Sequence, residues 1–166
     1  MSVHLKPIPL RIANDYLDQQ RAFPGRVRGC KFSIGAYADE VLVGIVIVER
    51  PKARHLDDGW SLELTRVWIT DRPAVASLLI DAATRAAFAM GARYVLSYTT
   101  RPADGVAFAA AGWRRMEAGG APVEVGGGEW SRPSRPRDPT AGATERKQRW
   151  ECYVSQPDRA LTTEAA

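Results

Sequence analysis

The sequence predicts a single α/β domain, a mixed and mostly antiparallel sheet with helices on both faces. Strand-like segments between Lys31 and Thr70 are dense in β-branched residues, which favours an antiparallel meander. The apolar helical segment Pro73–Met90 then separates two further strand-like segments, which predicts a parallel βαβ unit with a right-handed crossover. A chain of 166 residues fits one domain, or one domain with a tail.

The predicted element order is β-α-β-β-β-α-β-α-β, and each element follows from apolar spacing or a turn signal. Strands are expected at Val3–Lys6, Lys31–Ala38, Val41–Glu49, Trp60–Thr70, Arg93–Thr99 and Trp113–Glu117, and helices at Ile8–Phe23, Pro73–Met90 and Ala103–Ala111. Asp39-Glu40 is expected to form a tight hairpin turn, and Gly91 and Gly112 to end the helices before them. The long helix is expected to bury Val75, Leu78, Leu79, Ala82, Ala86 and Met90.

Composition divides the chain into three parts. Residues 1–117 carry the periodic apolar patterns and form the predicted core. Residues 118–154 are rich in Gly, Pro and Arg, and we expect an extension that packs on the core, mostly loop, in which Gln148–Val154 returns as a strand. Residues 155–166 are expected to form a flexible tail.

The positive charge is concentrated in the extension. Between Ser131 and Trp150, six cationic residues against two anionic ones equal the net charge of +4 of the whole chain. Arginines flanked by tryptophans are typical of nucleic-acid binding, since guanidinium groups neutralise phosphate and indoles stack on bases. The expected contacts with nucleic acid are Trp130, Arg132, Arg135, Arg137, Lys147 and Arg149. The alternative is a solvated tail folded over the core, with structural tryptophans.

Several classes of protein are disfavoured. No apolar run approaches the ~18 residues of a membrane span. Met1–Ile12 contains no secretory segment, so a cytoplasmic location is expected. Cys30 and Cys152 lie far apart, without a CxxC pair or histidines at metal spacing, which indicates reduced thiols and no metal site.

Three segments resemble the GNAT superfamily of N-acetyltransferases. They are the strand-loop-helix stretch Ser61–Met90, the step from helix to strand at Gly91–Val95, and Ala107–Trp113, which resembles the superfamily's "A…GF" ending. The resemblance covers roughly Val3–Glu117. It implies the GNAT fold, acetyl-CoA or a related acyl-CoA as donor, and transfer to an amine. GNAT proteins often dimerise, so a homodimer is a partner that the resemblance allows.

A narrower resemblance points to an uncharacterised GNAT-like family of phages and prophages. It rests on Glu49–Gly59 followed by Leu62–Arg66, and on Gly126–Arg137 followed by Lys147–Trp150. Proteins of this family are similar in outline to the Mom protein of phage Mu, a GNAT-like enzyme that modifies adenine in DNA. The resemblance therefore implies a DNA base as the acceptor.

The sequence departs from the GNAT pattern at two places. The loop after the fourth strand usually contains glycine, whereas here Asp71–Ser77 contains none. Many GNAT enzymes also place a tyrosine acid four residues before the glycine matched to Gly112, and here that residue is Phe108, which has no proton to donate. These departures support one alternative, a non-catalytic DNA-binding module on a GNAT scaffold.

By resemblance, the acyl-CoA lies along the fourth strand and the start of the following helix. Free N–H groups and the dipole at a helix N-terminus suit a diphosphate. Pro73 is well placed in the first turn, because the N–H that proline lacks has no partner within the helix at that position. The residues expected to hold the cofactor are Val67, Trp68, Ile69, Arg72, Ala74, Val75, Ala76 and Ser77. The alternative is an ordinary helix capped by Asp71, whose charge opposes a phosphate.

Glu63 and Arg66 are the candidate catalytic residues of the fourth strand. Burial raises the pKa of a carboxylic acid, which makes Glu63 a candidate general base, although an ion pair with Arg50 or Arg54 explains it equally well. Arg66 would bind an acyl or substrate anion, or form a salt bridge. Because Glu63 and Arg66 lie three positions apart, they are expected on opposite faces of the strand.

Ser97 and Tyr98 lie near the carboxyl end of the next strand, where sites gather in parallel sheets. With Phe108 unable to act, Tyr98 is the candidate acid for the departing thiolate and Ser97 its substitute; a half-buried packing role for Tyr98 is the alternative. The expected function is an acyl-CoA-dependent transferase acting on an amine, with a DNA base as the favoured acceptor. A conventional small-molecule or protein N-acetyltransferase is the second reading.

Overall fold

The computed structural model describes residues 2–70, 73–100, 102–116 and 147–154, and these form one seven-stranded sheet with three helices. The strands are β1 (Val3–Pro7), β2 (Phe32–Ala38), β3 (Val41–Glu49), β4 (Ser61–Ile69), β5 (Tyr94–Thr99), β6 (Arg114–Arg115) and β7 (Gln148–Tyr153). The helices are α1 (Leu10–Gln19), α2 (Pro73–Ala89) and α3 (Gly105–Ala110), with short 3₁₀ turns at Arg54–Leu56 and Pro102–Asp104.

The strand order is β1-β2-β3-β4-β5-β7-β6, and only the β4–β5 pair is parallel. The predicted fold class is therefore confirmed. Helix α1 packs on one face of the sheet, and α2 and α3 pack on the other. Within the described residues, no helix has the length and apolarity that crossing a bilayer demands.

Strand β3 lies at the centre of both cores, which explains its nearly continuous apolar sequence. Ile45 and Ile47 belong to the core under α1, whereas Val46 and Val48 belong to the core under α2. All four side chains are fully buried. The hairpin before β3 turns at Asp39 and Glu40, both with positive φ, as a tight two-residue connection requires.

Helix α2 has its predicted extent, but only part of its predicted face is buried. The buried positions are Val75, Ala76, Leu79, Ile80, Ala83, Thr84 and Ala87. The prediction is confirmed at Val75 and Leu79, whereas Leu78 and Met90, which were expected inside, are exposed. Apolar residues surround most of this helix, so their spacing does not single out one buried stripe; packing against β3 and α3 selects it.

A β-bulge interrupts β4 at Thr65. Val48 of β3 lies opposite Leu64, and the preceding residue Ile47 lies opposite Arg66, so Thr65 has no residue opposite it. An extra residue of this kind reverses the in-and-out alternation of the strand beyond it.

The bulge overturns the expectation that Glu63 and Arg66 occupy opposite faces. Before the bulge, Leu64 packs in the α2 core and its neighbour Glu63 points to the α1 face. After the bulge, Val67 packs in the α2 core and Arg66 lies against Phe23 on the α1 face. Glu63 and Arg66 consequently share one face.

The expected core strand Trp113–Glu117 is also corrected. Only Arg114 and Arg115 are strand, both are exposed, and they form the sheet edge beside β7. The position next to β5 belongs to β7, and Trp150 of β7 fills the α2 core. The indole of Trp150 stacks on Phe108, 5.9 Å between ring centroids, and donates a hydrogen bond to the Thr99 hydroxyl at 3.1 Å.

Gly105 is expected to be intolerant of any side chain. A Cβ at this position would lie 2.5 Å from the Trp150 ring, which Phe108 and Thr99 hold in place. We expect Gly105→Ala to lower the free energy of unfolding by about 1–3 kcal/mol, the usual cost of overpacking. Urea denaturation measures this. Gly29→Ala is the matched control because nothing lies within 4 Å of its added Cβ; equal stability of the two variants would contradict the packing described.

Candidate active site

Strands β4 and β5 pair only over their first halves. Ser61–Leu64 lies parallel to Tyr94–Ser97. Beyond this point β4 pairs with β3 as far as Ile69, whereas β5 pairs with β7 as far as Thr99. The two strands thus separate at the carboxyl end of β5 and leave a gap in the sheet, which we call the β4–β5 gap.

Ser97 lies where the gap begins. Its hydroxyl donates to the main-chain oxygen of Leu64 at 2.8 Å, and only 2% of the residue is exposed. The hydroxyl thus holds the last paired residues together, and its proton is engaged in this hydrogen bond. The structure assigns Ser97 a positioning contact and gives no support to its expected role as an acid.

The open half of β4 presents backbone groups to the gap. The N–H of Thr70 donates to the main-chain oxygen of Val43 in β3 at 2.9 Å. Because successive residues of an antiparallel strand address opposite sides, Trp68 also faces β3, whereas Val67 and Ile69 direct their N–H and C=O groups into the gap. Two of the three expected β4 contacts therefore fit an extended ligand.

Helix α2 begins shortly after β4. The N–H groups of its first turn have no partner within the helix. Ala74 and Ser77 line an open, shallow cavity of about 440 Å³ on the surface between α2 and α3. The other lining residues are Leu78, Asp81, Ala110 and Ala111. Val75 and Ala76, by contrast, are buried, so only their main chain could serve a ligand. Asp71 and Arg72 lie outside the described residues.

A pair of buried carboxylates occupies the α1 face beside the gap. Glu49 and Glu63 lie opposite each other on β3 and β4. The Lys52 N–H donates to Glu63 at 2.8 Å, and the Lys52 ammonium pairs with Glu49 at 2.6 Å. The Thr65 hydroxyl, at the bulge, bonds the second oxygen of Glu49. Sequence reasoning missed Glu49 and Thr65.

The environment of Glu63 suits a proton acceptor. Burial raises its pKa, the nearby charge of Glu49 acts in the same direction, and the Lys52 N–H opposes both. The alternative of an ion pair with Arg50 or Arg54 finds no support: Arg50 pairs with Asp57 at 2.6 Å, and among the described residues Glu63 forms no salt bridge.

Tyr98 shares this face. Ser97 and Thr99 alternate with it along β5 and lie on the α2 side of the sheet, where Thr99 accepts the hydrogen bond from Trp150. Tyr98 therefore points to the α1 face. Tyr98 is half-buried, and burial raises the pKa of its phenol, with the charges of Glu63 and Glu151 adding to the effect. The phenol consequently keeps its proton at neutral pH and lies within electrostatic reach of Glu63.

A second polar cluster joins β5 to β7. The Tyr94 hydroxyl donates to Glu151 at 2.7 Å, and Arg149 forms an ion pair with Glu151 at 2.5 Å. Glu151 is 2% exposed. Arg149, expected to contact nucleic acid, is thus paired inside the protein. In the sequence, the polar residues Arg149 and Glu151 alternate with Trp150 and Cys152. This pattern predicts a strand with one polar face and one apolar face, and it could have shown that Arg149 pairs within the protein.

The remaining predicted residues lie in different places. Lys147 is exposed at the start of β7 and close enough for its charge to lower the pKa of Glu63. Trp130, Arg132, Arg135 and Arg137 lie outside the described residues. Asp58 stabilises a turn, since its carboxylate accepts the Trp60 N–H at 2.9 Å.

Several solved structures share this fold. The ribosomal-protein-S18-alanine N-acetyltransferase from Escherichia coli matches 96% of this chain and 99% of its own, with a TM-score of 0.64 and 10% identity. A Bacillus subtilis acetyltransferase in complex with CoA matches 93% of this chain and 100% of its own, with a TM-score of 0.56 and 11% identity.

An acetyltransferase of the GNAT family from Streptococcus pneumoniae matches 92% of this chain and all of its own, with a TM-score of 0.58 and 13% identity. The chain has the GNAT fold. No protein-family model and no curated protein matches the sequence. The similarity therefore extends to the path of the chain, and the chemistry has to be argued from the side chains of this GNAT-fold protein itself.

Proposed function

We propose that this protein is an acyl-CoA-dependent N-acyltransferase. The β4–β5 gap carries the proposal, because it exposes the main-chain N–H and C=O groups of Val67 and Ile69 at the carboxyl end of a parallel strand pair. A proton acceptor and a proton donor, Glu63 and Tyr98, lie on one face beside it. The CoA complex of the B. subtilis protein with the same fold supports this reading.

The described residues fit an acyl-CoA in three places. The open edge of β4 can pair with the amide groups of a pantetheine arm, as a strand would. The free N–H groups at the start of α2 suit the diphosphate, and the α2–α3 cavity beside Ala74 and Ser77 can receive the rest of the nucleotide end. When bound, the acyl-CoA supplies an activated acyl thioester.

The side chains divide the proton transfers between them. Glu63, with its pKa raised by burial, accepts a proton from the acceptor amine. Tyr98, with its pKa raised by burial, holds a phenolic proton that can pass to the leaving sulfur. Phe108 is buried against Trp113 and Trp150 and takes no part. The absence of a tyrosine at that position is thus compatible with activity.

Filling the α2–α3 cavity is expected to impair acetyl-CoA binding. Ala110→Trp places an indole in the cavity, and we expect the Kd for acetyl-CoA, measured by calorimetry, to rise about tenfold or more. Ala109→Trp is the matched control, because Ala109 is equally exposed on α3 but does not line the cavity. Absence of binding to the wild-type protein would remove the enzyme proposal altogether.

The rate is expected to fall in acid as Glu63 becomes protonated. The base works only when deprotonated, so activity should be lost as the pH falls through a pKa above that of an ordinary glutamate. Glu63→Gln, whose amide oxygen can still accept the Lys52 N–H, should lower kcat about a hundredfold and abolish this acidic limb. Tyr98→Phe should lower kcat but keep the limb. An unchanged limb in Glu63→Gln would assign the base to another residue.

For the acceptor, we propose a nucleobase amine in DNA, the reading that the sequence favours. The support is the net charge of +4 between residues 131 and 150 and the place where the β6–β7 connection starts and ends. Met116 donates its N–H to the Arg149 main-chain oxygen at 3.1 Å, and Gln148 pairs with Thr99 at the carboxyl end of β5. The connection therefore leaves and re-enters the sheet beside the β4–β5 gap.

A conventional small-molecule or protein acceptor is the second candidate, favoured by the shared fold of the S18-alanine N-acetyltransferase. Mass analysis of nucleosides from DNA co-expressed with the protein separates the two. A nucleobase acceptor predicts a modified nucleoside that disappears in Glu63→Gln. It also predicts that replacing Arg132, Arg135 and Arg137 with Ala flattens the salt dependence of DNA binding. Unmodified DNA together with acetylation of free amines would establish the conventional function.

A further inference from the structure

Arg66 and Trp68 carry buried donors without partners. The Nε of Arg66 and the Nε1 of Trp68 are both inaccessible to solvent, and neither has a hydrogen-bond partner among the residues that the structure describes. The two residues lie two positions apart after the bulge and share the α1 face. Both contact Phe23: the Arg66 guanidinium carbon is 4.9 Å from its ring centroid, and the Trp68 ring centroid is 6.1 Å away.

The described part of the chain offers the Arg66 guanidinium no counter-charge. Its one hydrogen bond runs from Nη1 to the adjacent Thr65 carbonyl at 2.9 Å. Glu63, on the same face, accepts the Lys52 N–H, and Arg66 is not among the groups that perturb its pKa. A partly buried cation without an anion is costly, and unsatisfied buried donors beside it add to the cost.

The position of these donors indicates which molecule they serve. Helix α2, where the acyl-CoA diphosphate is proposed, packs on the opposite face of the sheet. Arg66 and Trp68 instead flank Val67, whose main chain opens into the β4–β5 gap, on the face that also carries Glu63 and Tyr98. A ligand group bound by them therefore belongs to the acceptor and not to the acyl donor.

We propose that Arg66 and Trp68 form an oxyanion subsite that selects acceptor amines bearing a carboxylate or a phosphate near the amino group. An oxyanion satisfies a guanidinium charge and an indole N–H together, and both donors lack acceptor capacity of their own. Phe23 contacts both side chains and so restricts their positions. The inference rests on the proposed acyltransferase function and names the acceptor class of its conventional small-molecule form, because the amino group of a nucleobase has no carboxylate or phosphate beside it.

The first test needs no turnover. Phosphoethanolamine and glycine should raise the Tm of the wild-type protein more than ethanolamine and glycinamide do. Arg66→Met should lose that difference. Arg11→Met is the matched control, because Arg11 is an exposed arginine of α1 paired with Asp15 and its loss changes the net charge equally. Equal shifts from the charged and neutral ligands, or a difference that Arg66→Met retains, would overturn the subsite.

The second test uses acetyl transfer from acetyl-CoA to each amine. The ratio of kcat/KM for phosphoethanolamine to that for ethanolamine, and for glycine to glycinamide, should fall about tenfold or more in Arg66→Met and stay constant in Arg11→Met. Trp68→Phe removes the indole N–H but keeps an aromatic ring against Phe23, so it tests the subsite if Arg66→Met does not fold. In Trp68→Phe the ratio of kcat/KM for the charged amine to that for the neutral amine should fall about threefold or more. The two amine pairs show whether phosphate or carboxylate is preferred.

The outcomes separate the two proposals. Acetyl-CoA binding and transfer without any preference for the charged amines would overturn the subsite and leave the acyltransferase standing. Anion-dependent stabilisation that Arg66→Met abolishes, in a protein that does not bind acetyl-CoA, would support the subsite and overturn the acyltransferase.

Discussion

A strand can pair with only one neighbour on each edge, and the local geometry of this protein depends on where that pairing stops. The Ser97 hydroxyl bond to the Leu64 oxygen marks the last contact between β4 and β5. One residue later the bulge at Thr65 bends β4 and increases its twist. From there β4 follows β3 and β5 follows β7, so main-chain groups remain unpaired in the middle of a sheet, where an unpaired group is otherwise costly.

The same bulge decides which side chains meet. Without it, Arg66 and Trp68 would point towards α2, and Val67 and Ile69 would meet α1. With it, the two apolar side chains complete the α2 core while Arg66 and Trp68 join Glu63 on the other face. One inserted residue thus puts the edge where we propose that the acyl donor binds and the face where we propose that the acceptor binds on different sides of a single strand.

The α1 face consists of an apolar half and a polar half. Over β2 and β3, α1 covers Ile45 and Ile47, and the core there is closed. Towards β5 and β7 the same face carries three buried carboxylates, Glu49, Glu63 and Glu151. Glu49 and Glu151 are each compensated by a cation, Lys52 and Arg149. Glu63 forms no salt bridge within the described residues and accepts the Lys52 N–H; burial raises its pKa, in the direction that favours proton acceptance, against the opposing effects of this hydrogen bond and the charges of Lys52 and Lys147.

The sequence indicated which polar residues to consider for the candidate site, but it did not indicate which groups they contact. Glu63 and Tyr98 were recognisable because polar residues in apolar strands stand out. Ser97 carried the same signal, yet its hydroxyl is used within the sheet. Arg149 looked like part of a basic surface because the surrounding sequence is basic. Glu151 is its neighbour on the same face of β7, and only strand pairing brings Tyr94 to it from 55 residues away.

By itself the sequence determined the element order, the fold class and the two-residue hairpin turn, because these follow from local periodicity and from residues that tolerate particular backbone angles. Tertiary structure alone decided the buried face of α2, the insertion of β7 between β5 and β6, and the bulge that places Glu63 and Arg66 together. Each of these depends on contacts between segments distant along the chain. Which of the alternative contacts forms is decided by side-chain packing and hydrogen-bond geometry in the folded chain, and a local pattern of residues does not contain this information.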